Sequence, residues 1–169
     1  SGSAQHQVVI GGSSAVTANH TVLGGSNADT IIFGQYAQGS NVAKAGSGDA
    51  YIYDMSTSGK KSSLIGGTGD DTIIAAKGDY VEGGAGADSF KDLNAHVIRD
   101  YDVTEGDVII ASKLSSVGIS DLAQISARGN VISINGGAAV TLGTDYNEED
   151  SMAAIIAGVD GSNAKYVAW

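Results

Sequence analysis

The stretch GGTGDDTIIAAKGDYVEGGAGADSF, Gly66–Phe90, decides how this chain is read. It holds one phrase twice, GGTGDDTII from Gly66 and GGAGADSFK from Gly83. Glycine at this density argues against a helix, because each one costs about 1 kcal/mol of helix relative to alanine. The aspartates argue against a bare hydrophobic strand. Glycines, an aspartate and then apolar residues read as a tight turn that runs into a short strand.

Outward from this stretch the phrase recurs. GGSNADTII begins at Gly24 and AGSGDAYIY at Ala45, so the four starts are 21, 21 and 17 residues apart. A degenerate copy begins at Gly11. Apolar residues keep the same step: Ile31 and Ile32, Ile52, Ile73 and Ile74, then Phe90. A second apolar series falls half a period away, at Val22 and Leu23, Val42, Leu64 and Ile65, Val81, then Val97 and Ile98. Each repeat therefore carries two short β-runs and two turns. Such runs are too short to stand as hairpins. Stacked in parallel they form a solenoid, each coil burying its apolar side chains against the next.

The pattern GGxGxDxUx, with U a large apolar residue, resembles the nonapeptide of the RTX (hemolysin-type calcium-binding) family. Gly66–Ile74 and Gly83–Lys91 match at every defined position. Gly24–Ile32 has Asn27 in place of the fourth-position glycine, and asparagine is the best substitute where φ must be positive. Ala45–Tyr53 departs further: Ala45 replaces the first glycine, and Asp49 stands one place early, with Ala50 where the aspartate belongs. The opposite turns (Gly34–Gly39, Asp54–Lys61, Ala75–Asp79) do not carry the motif.

The resemblance implies an all-β, right-handed parallel β-roll over residues 8–112, with calcium in the glycine turns along one edge. It also implies ligand sets Gly24, Ser26 and Asp29; Ala45, Ser47 and Asp49; Gly66, Thr68 and Asp71; and Gly83, Ala85 and Asp88. Asp71 fills the motif's ligand position, and Asp70 is the variable residue. Chemistry agrees with the resemblance: curled glycine backbone points carbonyls inward, and hard oxygen donors suit Ca2+. The bland alternative is a set of plain Gly-Asp turns; two full matches, a near-match and coil-like spacing favour calcium.

The formal net charge is −10, with 19 Asp+Glu against 9 Lys+Arg, which suits cations and argues against nucleic acid. Cysteine is absent, which excludes disulfides, thiol catalysis and thiolate metal sites. No apolar run approaches the ~18 residues of a membrane span. Neither GxGxxG, a P-loop, HExxH nor GxSxG is present, and His6, His20 and His96 stand alone in sequence, so a non-enzymatic module is expected. Thr21, Thr30 and Thr72 precede apolar residues and suggest an ice-binding ladder, but Tyr51 lies between Thr30 and Thr72 in the coil register and breaks it.

After Phe90 the phrase stops. HVIRDYDVTEGDVIIAS, from His96, resembles the segment that ends RTX rolls, and Asp100, Asp102 and Asp107 are candidates for a terminal calcium site. A polar turn at Glu105-Gly106 is the competing reading. Residues 113–169 read as a C-terminal cap. Ile125, Val131, Ile132, Ile134, Val140 and Leu142 supply an antiparallel meander, and NEEDSMAAIIAG predicts a helix over about 148–157. Residues 1–7 (SGSAQHQ) read as a linker or cloning scar, and the KYVAW ending suits either a last strand or a type I secretion signal.

The expected function is a calcium-binding structural module of a secreted or cell-surface bacterial protein, in the manner of a surface-layer component. It would fold on meeting external calcium and support secretion or surface assembly. Expected partners are calcium, cell-surface polysaccharide or further copies of the chain. The alternative is a carbohydrate-binding or adhesive module of a larger enzyme or adhesin, for which Tyr36, Tyr51, Tyr53 and Tyr80 are the candidate contacts.

Overall fold

The computed structural model describes residues 5–91, 96–102, 104–112, 125–128, 131–134, 137–141, 155–158 and 165–166. Among them are sixteen strands and no helix, and hence none long and apolar enough to cross a membrane. The strands form two sheets wound as a parallel solenoid of about five turns.

The first sheet stacks β1 (Gln7–Ile10), β3 (Thr30–Phe33), β5 (Tyr51–Asp54), β7 (Thr72–Ile74), β9 (Ser89–Lys91) and β11 (Val108–Ser112), all in parallel. The second stacks β2 (Thr21–Leu23), β4 (Val42–Gly46), β6 (Ser63–Thr68), β8 (Tyr80–Ala85) and β10 (His96–Ile98) in the same way. Side chains alternate across each strand, so every second residue points inward in register with its neighbours. Ile31, Ile52, Ile73, Phe90 and Ile109 make one inner column. Val22, Ala43, Leu64, Val81 and Ile98 make the other, and all are buried. Burying each large apolar side chain contributes about 1.5–3 kcal/mol.

The coils that carry the glycine phrase differ in length on one side only. Nine residues separate Asn41 from Ala50, Ser62 from Asp71 and Asp79 from Asp88, the corner that holds the glycine phrase. The opposite corner spans twelve residues from Ala50 to Ser62 and eight from Asp71 to Asp79. The 21- and 17-residue spacings therefore arise in the corner that lacks the motif.

Beyond β10 the pairing changes. β14 (Gly137–Thr141) adds to β10 in parallel; β13 (Val131–Ile134) and β12 (Ile125–Arg128) continue the sheet antiparallel. Ile125, Val131, Ile132, Ile134 and Val140 thus fall on the expected antiparallel strands, while Leu142 lies outside the described residues. The expected helix over about 148–157 is corrected in its last part. Ile155, Ile156 and Ala157 belong to a strand, β15 (Ile155–Gly158), which pairs in parallel with β11. The open edge of β11 supplies backbone partners that outweigh a local helical pattern. Residues 148–154 lie outside the described residues. β16 (Lys165–Tyr166) pairs antiparallel with β15, and Val167 and Trp169 lie outside.

Candidate functional site

The residue before each first-sheet strand forms a column along the glycine corner. In register these are His6, Asp29, Ala50, Asp71, Asp88 and Asp107. The four aspartates are buried at 0–3% exposure. Asp71 Oδ1 accepts the N–H of Ala50 (2.7 Å), Asp88 Oδ1 that of Asp71 (2.8 Å) and Asp107 Oδ1 that of Asp88 (2.9 Å). Each carboxylate thus binds the backbone of the coil before it.

The second carboxylate oxygens divide the column. Asp29 Oδ2 accepts the N–H of Gly25 (2.7 Å), and Asp107 Oδ2 that of Asp102 (2.9 Å). Asp71 Oδ2 and Asp88 Oδ2 are buried and accept no hydrogen bond. They belong to the two phrases that match the nonapeptide in full. Each faces the first glycine of its phrase: a side chain on Gly66 would overlap Asp71 Oδ2, and one on Gly83 would overlap Asp88 Oδ2. The backbone oxygen of Gly83 also borders that space, 2.5 Å from where the Gly66 side chain would begin. The second glycines, Gly67 and Gly84, sit at φ +122° and +105°, which the turn requires and L side chains avoid.

Burial pushes Asp71 up to about 6, with Asp49 and Asp70 adding like charge against the Ala50 N–H. Burial likewise raises Asp88 to about 6, with Asp71, Asp100 and Asp70 adding to it. Asp107 is also raised to about 6, mainly by burial. Asp29 differs: burial raises it, but the N–H groups of Gly25 and His6 and the His6 ring outweigh that and leave it below the usual range. Among the described residues the ion pairs are His6–Asp29 and Arg99–Glu82, so no lysine or arginine neutralises Asp71, Asp88 or Asp107.

The expected ligand sets are placed as follows. Gly66, Gly83, Ala45, Asp29, Asp71 and Asp88 are buried, while Gly24 is half-buried. Ser26, Ser47, Thr68 and Ala85 lie exposed on the rim of the turns. Asp49 stands one position before the column, in line with Asp70; both are exposed. Asp49 Oδ1 accepts the Asp70 N–H (3.0 Å), and Asp70 Oδ1 the Ala87 N–H (2.9 Å), an outer ladder of opposite sense. Of the terminal candidates, Asp107 joins the column. Asp100 accepts the N–H groups of Gly83 (2.9 Å) and Gly84 (2.8 Å), and Asp102 caps Thr104.

Sequence reasoning missed Asp79. Its Oδ1 accepts the N–H of Ser62 from the coil before (2.8 Å), and its Oδ2 that of Ala76 (2.9 Å), repeating the column's pattern at the opposite corner. A gapped alignment of AAKGDYV with the phrase would have found it. The tyrosines do not form one row: Tyr51 and Tyr53 meet edge-to-face at 6.3 Å on β5, while Tyr80 lies on the other sheet beneath Lys61 and Arg99.

A cation at this corner has a donor set that fits: two buried carboxylate oxygens without hydrogen bonds, close to glycine carbonyls. Among the described residues no three His, Cys, Asp or Glu side chains converge, so backbone oxygens would complete such a site. Fold and site together define a parallel β-solenoid with a buried aspartate column along one corner. Comparison with family models, curated proteins and solved structures finds no match.

Proposed function

We propose that this chain is a calcium-binding structural module of the RTX kind, which folds on binding the ion and serves secretion or assembly at a bacterial surface. One observation carries the reading: Asp71 Oδ2 and Asp88 Oδ2 are buried, adjacent in the stack and without partners. Buried acceptors almost always have partners, and buried like charges without a counter-charge are costly. Calcium takes six to eight oxygens from carboxylates and backbone carbonyls, and this corner is rich in both. Asp71, Asp88 and the carbonyls of their glycine turns would hold it. Asp29 already accepts backbone N–H groups on both oxygens, from His6 and Gly25, and contributes less.

Function follows from linkage. An ion that binds only the folded coil stabilises it by RT ln(1 + [L]/Kd). Where calcium is scarce the stacked carboxylates disfavour closure; where it is abundant the roll forms. Far-UV circular dichroism tests this. Millimolar calcium should give β-structure and chelator should remove much of it, with magnesium a poor substitute because it holds its waters. A spectrum and melting temperature unchanged by exhaustive chelation would refute the proposal.

A further inference from the structure

A second group of carboxyls lies inside the corner opposite the glycine phrase. Asp54 ends β5 and Asp79 precedes β8; they are 2% and 0% exposed. Their carboxyl groups interact directly. Three of the four oxygens accept backbone N–H groups: Asp54 Oδ1 from Ser56 (2.7 Å), and Asp79 Oδ1 and Oδ2 from Ser62 and Ala76. The fourth, Asp54 Oδ2, is buried and has no donor.

That count identifies the occupant. A hard cation takes six to eight oxygens, and the pair leaves one free. A proton needs only one, and converts the orphan acceptor into a donor toward Asp79. We infer that Asp54 and Asp79 share a single proton inside the roll, and that this pair lowers the fold's stability as the solution turns from acid to alkaline.

Among the described residues no lysine or arginine lies at this depth. From the loop before β6, Lys60 and Lys61 are exposed, and the Lys61 ammonium lies 5.3 Å over the Tyr80 ring. Lys77 is exposed in the turn before β8, and Glu82 on β8 pairs with Arg99 just after β10. Neutral Ser62 lies just before β6. The same column continues through Asn41 to His20, two further coils away. His96 is the register neighbour of Asp79 on the next coil. Burial, with the Asp54 charge adding to it, raises Asp79 from 3.8 to about 7 against the two N–H donors. The folded value exceeds the ordinary one, so the pair's contribution is complete below about pH 4 and is lost as pH rises through about 7.

Asp54→Asn tests the inference. Its amide nitrogen donates to Asp79 as the shared proton does, and its oxygen still accepts the Ser56 N–H. Between pH 5 and pH 8 the wild-type melting temperature should fall by roughly 5–10 °C more than that of the variant. The difference between the two proteins should persist in chelator and in saturating calcium, so its presence does not depend on the calcium proposal. Identical slopes would overturn the inference. Should the variant not fold, aspartate labelled with 13C in the wild-type chain gives the second reading. The Asp79 carboxyl carbon should titrate with a midpoint near 7; a midpoint near 4 would overturn it.

Discussion

The carboxylate of Asp71 fills the space that a side chain on Gly66 would need. The same holds for Asp88 with Gly83 and for Asp29 with Gly24, always five residues apart. The exception is instructive. Where the first glycine is Ala45, the aspartate position is Ala50, and both are buried. The chain thus carries its own double substitution: a methyl group at the first position goes with the loss of the carboxylate. Glycine and aspartate in this phrase form one packing unit, whatever else they bind.

Gly66→Ala should therefore destabilise the roll by on the order of 2–4 kcal/mol through overlap with Asp71. Adding Asp71→Ala, which reproduces the Ala45 and Ala50 pair, should recover at least about 1 kcal/mol. Recovery will be partial, because the Gly83 carbonyl also lies close to the new methyl group. Denaturant titration of both single variants and the double variant measures the coupling, and strict additivity would contradict the packing-unit account.

Asp71→Ala should weaken calcium binding far more than Asp70→Ala. Asp71 Oδ2 is buried and unpartnered, whereas Asp70 is exposed and already bonded to the Ala87 N–H. Isothermal titration calorimetry compares them, and equal losses would mean that the outer ladder holds the ion. Asp71→Asn should raise the melting temperature in chelator while it weakens calcium binding, since it removes a buried charge without removing the side chain.

The metal-free roll should lose stability as pH rises. Asp71, Asp88 and Asp107 titrate near 6 when folded, above the ordinary value of 3.8, so folding takes up protons. Their contribution is complete below about pH 4 and gone once pH has passed through 6. Calcium replaces those protons, so its addition at pH 6 should release protons and flatten or reverse the trend. Thermal melts from pH 4 to 8, with chelator and with calcium, check both statements.

Ile52→Ala and Ile73→Ala should each cost about 2–5 kcal/mol, because both sit fully buried in the central coils. Thr72→Ala, half-buried on the outer face of the same sheet, should stay within about 1 kcal/mol. Chemical denaturation distinguishes them, and similar costs would mean that the assigned inner and outer faces are wrong.

Deleting residues 155–169 should make the chain associate. β15 covers the edge of β11 along four register pairs, Ile109–Ile155 to Ser112–Gly158, and its removal leaves a parallel sheet edge open. Size-exclusion chromatography in calcium should show oligomers or aggregate. A monodisperse monomer of native stability would instead favour a detached secretion signal.

Much of this architecture is written in the chain order. The glycine phrase and its apolar step of 21 and 17 residues determine two strands per coil, and the alternation within TIIF, YIYD and TII determines which residues point inward. These are short-range facts about turns and period-two strands, and local sequence carries them. The packing of Asp71 against Gly66 was half legible: the spacing was visible, but not that one residue makes room for the other. Three features needed the tertiary structure. Asp79 repeats the column's role from a turn shortened relative to the phrase, and only stacking brings its carboxylate to the Ser62 N–H. Asp54 meets Asp79 from a strand three elements before β8, so no local pattern records the pair. Ile155–Gly158 carries part of a helical signature yet lies in a strand, because the edge of β11 offers backbone bonds that a local helical preference of a few tenths of a kcal/mol per residue does not outweigh.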